Sequence, residues 1–225
     1  MQQRREAANN NSNNTTFYCG CTFGGDNNNN NPEDKTFDAA SCGYVPRNND
    51  NIRAHRIEWE HVVPASRMGE GRDCWSPDAE TRETLFPIEC KKGVSARECC
   101  RKVDPQFKQM EADLHNLRPT IGELNADRSN LPFGSVPMEP REYGMCDFEI
   151  GFTMLHRPYP RPDWNLGYLA IEEDFLGGQE NDVHGATRKV VVPPVHVKGA
   201  IARTYLYMED TYDMKLSLSL IHISE

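Results

Sequence analysis

Apolar and charged residues alternate over RAHRIEWEH, from Arg53 to His61, where Ile57 and Trp59 interleave with Arg56, Glu58 and Glu60. A period of two predicts a strand, and Pro64 just behind it blocks further regular pairing. Farther on the period changes. Asp104 suits a helix N-cap and Pro105 the first helical position. Phe107, Met110, Leu114 and Leu117 follow at helical spacing, so the pattern predicts a helix that Pro119 ends. A short helix is predicted over IGELNADRS, residues 121–129. Another is predicted from Val197 to Tyr212, with Ile201, Tyr205 and Met208 on one stripe. Between Gly69 and Ala96 the chain is rich in Gly, Pro and charge and reads as loop. No internal repeat is visible.

The ends and one inner segment have a different character. Residues 1–16 are Asn-rich and polar and read as disordered, and Asn27 to Asn31 reads as a loop. From Cys146 to Val195 prolines, a Gly-Gly pair and acids accumulate, which reads as an insertion at about 150–190, outside the core. Residues 17–216 then form a single domain. The last stretch, 217–225, falls in LSLSLIHISE and reads as a non-native or truncated tail, so no function is assigned to His222.

The net charge of −9 argues against whole-protein attraction to nucleic acid, but the acidity is uneven. Asp147 to Asp182 holds eight acids against two bases, a net −6 that leaves −3 for the rest and permits a local basic groove. No run of 18 apolar residues exists, so no membrane span is expected. The eight cysteines, 19, 21, 42, 74, 90, 99, 100 and 146, lie in loop-like sequence and include no CxxC pair. Disulfides in an oxidising compartment are the expected reading, ahead of core thiols or a zinc site. The start, MQQRREAANN, lacks the apolar stretch of a signal peptide, so the chain reads as a mature form or one whose start is missing.

Glu60 and His61 are adjacent ionisable groups at the end of the first strand. Successive strand side chains point to opposite faces, so the two cannot grip one metal from a regular strand. The geometry suits a division of labour, with a carboxylate for a hard cation and an imidazole to activate water. Taken alone, such a pair is more often a plain surface pair. A second concentration lies in MEADLHNLRPTIGELNADRSN, residues 110–130, with Glu111, Asp113, His115, Asn116, Glu123, Asn125, Asp127 and Arg128 among few apolar residues. Asp, Glu and Asn oxygens are what Mg²⁺ and Ca²⁺ prefer. Asn125 in mid-helix has poor propensity and asks for a reason. Arg97, Arg118 and Arg128 are candidates for phosphate contacts, although each alone is more often a surface residue.

The stretches TFYCGC (16–21), SCGYVPRNN (41–49), RIEWEHVVPAS (56–66), residues 110–130, EYGMC (142–146) and GAIARTYLYM (199–208) together resemble the bacterial endonuclease I family, within the His-Me finger nucleases. The resemblance implies an α+β fold: a ββα-metal core with several helices, stabilised by disulfides, with the acidic insertion peripheral. It implies His61 as general base, Glu60 and Asn125 as ligands of one Mg²⁺-type ion, with Mn²⁺ or Ca²⁺ as substitutes, and Arg97 on the phosphate. Glu111 matches an acidic residue placed near that Arg. Arg118 and Arg128 are expected to bind substrate. The implied activity is sequence-nonspecific hydrolysis of double- and single-stranded DNA, and of RNA, to 5′-phosphate and 3′-hydroxyl ends. The enzyme is expected to be a monomer, periplasmic or secreted. The acidic insertion is not part of the family pattern, and the chain stops soon after Ser217, where family members continue. Two rivals remain: an inactive secreted disulfide-rich binding module with the same fold, and a zinc hydrolase, which the absence of HExxH disfavours.

Overall fold

The computed structural model describes residues 14–24, 36–136, 141–154 and 187–214. The sequence readings for residues 1–13, the Asn27–Asn31 run, the middle of the acidic insertion and the tail lie outside these. Residues 14–16, read as disordered, are part of the fold. Thr15 bridges Thr22, and Thr16 is buried with its N–H on the Cys21 carbonyl at 2.8 Å.

The described residues mix helix and strand. In chain order the elements are β1 (Ile57–His61), α1 (Ala65–Gly69), α2 (Ala79–Leu85), α3 (Ala96–Val103), α4 (Pro105–Ala112), β2 (Leu117–Ile121), α5 (Gly122–Arg128), β3 (Glu149–Met154), β4 (Thr187–Val192) and α6 (Val195–Tyr212). Two antiparallel pairs form, β1 with β2 and β3 with β4. In the first, Glu60 stands opposite Arg118 and His61 opposite Leu117.

Three further expectations are corrected. The helix begins at Asp104-Pro105 as the sequence predicts, with the Asp104 carboxylate accepting from Phe107 N–H, but it ends at Ala112. Asp113 stops it: its side chain accepts from His115 N–H and starts a 3-10 turn, the local competition with helix that short carboxylates offer. Leu117 and Pro119 therefore lie on β2, and the Pro119 carbonyl accepts from Phe17 N–H at 2.7 Å.

The stretch read as loop between Gly69 and Ala96 contains α2, capped by Asp78, and leads into α3, capped by Ser95. Little apolar periodicity marks this region because disulfides hold it. Cys74–Cys100 and Cys90–Cys99 pin it to α3, while Cys19–Cys146 and Cys21–Cys42 tie down the N-terminal segment.

The flanks of the acidic insertion are core. β3 and β4 pair along their length, and Phe148, Val190 and Val191 are buried. Consecutive valines suit a strand buried on both faces, which is why alternation did not reveal it. The helix over Val197 to Tyr212 forms as predicted, burying Val197, Ile201, Tyr205 and Met208.

α5 follows β2 without a connecting residue and packs on the β1–β2 pair. Gly122 permits that approach. A Cβ there would stand 2.7 Å from the Arg53 carbonyl oxygen and 2.9 Å from the Glu58 carboxyl carbon. Among the described residues, no helix is long and apolar enough to cross a membrane.

Candidate active site

Strand alternation sorts the residues of β1 into two groups. Glu58 and Glu60 share one face, and Trp59 and His61 share the other. His61 Nε2 lies 2.8 Å from the main-chain oxygen of Glu111, the next-to-last residue of α4. A carbonyl only accepts, so Nε2 must carry the hydrogen and Nδ1 keeps the lone pair of the neutral ring. Burial, assisted by the charges of Arg97 and Arg101, holds the imidazole pKa below its ordinary value. The ring is thus neutral near pH 7 and able to accept a proton.

Glu111 also uses its side chain. Its carboxylate pairs with Arg97 Nε and with Arg101, whose Nη2 donates to Oε1 at 2.7 Å. Burial raises the carboxyl pKa, but the two guanidinium groups outweigh it and the net shift is downward. Arg97 and Arg101 are one helical turn apart on α3, so one carboxylate serves both. Arg97 meets Glu111 through Nε, and its terminal nitrogens carry no partner among the described residues. The sequence reading missed Arg101. Its spacing of four from Arg97 was the available signal.

On the opposite face Glu60 is 2 % exposed. Tyr18 O–H donates to its Oε1 at 3.0 Å, and Arg128 Nη1 stands 3.3 Å from the same oxygen. Burial nevertheless pushes the carboxyl pKa up to about 7, against the opposing effects of Arg128 and Tyr18. No hydrogen bond joins Asn125 to Glu60 among the described residues. Asn125 Nδ2 donates to Glu58 Oε2 at 2.8 Å, and Glu58 is also held by Arg53 and Arg56. Glu58 is a second residue that the sequence reading passed over.

Glu60 and Asn125 carry oxygen donors of the kind a hard divalent ion takes. Glu60 Oε2 and Asn125 Oδ1 have no hydrogen bond among the described residues, and both are the oxygen type that Mg²⁺ takes. One buried carboxylate whose charge is incompletely offset is a place where added positive charge is favourable. Among the described residues no three His, Cys, Asp or Glu side chains cluster as a metal site. Two protein ligands suffice for an ion that retains several waters.

The two remaining arginines separate. Arg118 is half-buried, its guanidinium 6.0 Å from the Phe17 ring centre, and it has no carboxylate partner among the described residues. Arg128 is 1 % exposed, and its guanidinium is engaged inside the fold. It donates to the main-chain oxygens of His61 at 2.9 Å and Val62 at 2.6 Å, while flanking Glu60. One buried guanidinium therefore braces the chain on both sides of the Glu60–His61 step. Asn116, fully buried, adds to this by exchanging two hydrogen bonds with the Val63 main chain.

The sequence model described as Endonuclease I matches residues 2–156, and the chain belongs to this nuclease family. Endonuclease-1 of Buchnera aphidicola subsp. Acyrthosiphon pisum (strain APS) is 38 % identical over 177 residues, 79 % of this chain and 50 % of the relative. An extracellular deoxyribonuclease of Aeromonas hydrophila is 35 % identical over 175 residues, covering 78 % and 54 % of the two chains. A periplasmic deoxyribonuclease of the same organism is 33 % identical over 180 residues, covering 80 % and 54 %. The chain spans about half the length of the curated relatives it matches.

Proposed function

We propose that this chain is a metal-dependent, sequence-nonspecific endonuclease built on a ββα-metal core. It hydrolyses DNA, double- or single-stranded, and RNA, leaving 5′-phosphate and 3′-hydroxyl ends. The observation that carries the reading is the hydrogen bond between His61 Nε2 and the Glu111 carbonyl, because it leaves Nδ1 unprotonated on a neutral ring.

His61 takes a proton from the attacking water through Nδ1. Arg97, held by Glu111 through Nε, presents its terminal nitrogens to the phosphoryl oxygens on which charge develops. Arg118 contributes a contact to the nucleic-acid backbone. Glu60 and Asn125 would hold Mg²⁺, with Mn²⁺ or Ca²⁺ as substitutes. When bound, the ion supplies positive charge for a phosphoryl oxygen and the leaving 3′ oxygen. Phosphate and sugar contacts carry no sequence information, so cleavage is general. The two relatives from Aeromonas hydrophila are named as extracellular and periplasmic, and four disulfides suit such a compartment. We place this chain in the periplasm or outside the cell, acting as a monomer.

The test is cleavage of supercoiled plasmid and of a structured RNA, with Mg²⁺ titrated and then removed by EDTA. Nicking that requires the ion, with nicks that ligase seals without prior kinase treatment, is the expected result. Binding without nicking at any Mg²⁺ concentration would favour an inactive binding module instead.

A further inference from the structure

We infer that Trp59 is a stacking platform for one nucleobase of the substrate strand, beside the phosphodiester that His61 serves. The inference rests on the nuclease reading and extends it to a residue that contacts the base.

Trp59 and His61 are two apart on β1 and share its outer face. Both line one cavity of about 430 Å³, within the roughly 300–1,000 Å³ that ligand clefts occupy. Its remaining wall divides by chemistry. Ala112, Leu114 and Leu117 supply apolar surface, Arg101 is paired with the Glu111 carboxylate that also lines the cavity, and Lys108 adds a positive charge. An apolar wall with the Lys108 cation beside it matches a nucleotide, whose base is flat and apolar-faced and whose phosphate is anionic.

Trp59 is 52 % exposed. An exposed indole on a strand is not explained by the core, whereas the buried Ile57 on the same face is. No other aromatic ring contacts Trp59 among the described residues, and its cross-strand neighbour is Pro119. Lys108 forms no ion pair among the described residues, so its charge is not taken up by a carboxylate. Stacking tolerates any base, so the platform strengthens binding without adding sequence choice. A paired base inside a duplex does not expose its face, so the platform favours single-stranded or frayed substrate.

The experiment is an abasic scan. Single-stranded oligonucleotides of one length carry one abasic nucleotide at successive positions around a fixed phosphorothioate-flanked cleavage site. In the wild-type protein, loss of the base at one position next to the cut slows cleavage by about 5- to 150-fold, the range of base–aromatic stacking. Trp59→Ala and Trp59→Leu cut the intact strand slower by a similar factor and no longer respond to that abasic site, whereas Trp59→Phe keeps the response. Leu retains apolar bulk without a π-face, so a merely structural role would be rescued by it. A wild-type profile that is flat, or one that Trp59→Leu reproduces, overturns the stacking platform while leaving the nuclease reading standing. A wild-type protein that cuts no oligonucleotide overturns both.

Discussion

His61 Nε2 lies 2.8 Å from the main-chain oxygen of Glu111, and this one contact fixes which ring nitrogen can act as a base. It also joins β1 to the end of α4. The carboxylate of Glu111 then holds Arg97 and Arg101 on α3, so the imidazole and guanidinium groups are located by a single residue. A side chain locked by its neighbours keeps its geometry through the reaction, which is the condition for efficient proton transfer.

Arg128 is expected to act on stability and on the position of Glu60, not on direct substrate contact. Removing it leaves the Glu60 carboxylate buried without its cation, at a cost of about 3–5 kcal/mol. Arg128→Met should therefore lower the midpoint of chemical denaturation sharply. At a temperature where the variant stays folded, its affinity for DNA in EDTA should equal that of the wild type. A stable variant with weakened DNA binding would restore Arg128 to the substrate-binding set.

Acid should loosen the junction between α4 and α6 through Asp113. Burial raises its pKa, but bonds from His115 N–H and from the hydroxyls of Tyr212 and Tyr207 outweigh this, and the net shift is downward. A carboxylate with a lowered folded pKa contributes stability in full above its unfolded value, about 3.9, and loses it as pH falls through the folded value. Melting temperature measured downward from about pH 6 should fall more steeply in the wild type than in Asp113→Asn. Parallel curves would remove Asp113 from the acid response.

The four disulfides make structure, and through it activity, sensitive to reductant. Each is worth roughly 2–4 kcal/mol, mainly by restricting the unfolded chain. Cys19–Cys146 also anchors the segment that carries Tyr18, the donor to Glu60. Denatured but unreduced protein should show no free thiols, and activity in reductant should decline together with circular dichroism. Activity lost while the spectrum is unchanged would contradict this, since no cysteine belongs to the proposed chemistry.

Much of the frame was legible in the sequence because local rules agreed there. The alternation through Ile57 and Trp59 gave β1, and Asp104-Pro105 gave the start of α4. What escaped depends on distant partners. Leu114 and Leu117 continue a helical spacing, but Asp113 turns the chain by binding His115 N–H, and Tyr207 and Tyr212 of α6 hold the same carboxylate. The valines of β4 carry no alternation because Val190, Val191 and Val192 are all buried. Of the site, the resemblance supplied His61, Glu60, Asn125, Arg97 and Glu111, and the structure brings His61, Glu111 and Arg97 together. No hydrogen bond joins Asn125 to Glu60 among the described residues; the Asn125 amide donates to Glu58. Arg128 looks like any surface arginine in the sequence, and only its contacts with His61, Val62 and Glu60 reveal a buried brace.

The central claim is that His61 is the base of a nuclease, and His61→Ala tests it most directly. Purified, disulfide-intact variant and wild type are compared on supercoiled plasmid at saturating Mg²⁺, with thermal unfolding recorded for both. The expected result is a nicking rate lower by about 10²–10⁴-fold in a variant that remains folded at the assay temperature. A variant that nicks within a few-fold of the wild type would contradict the account.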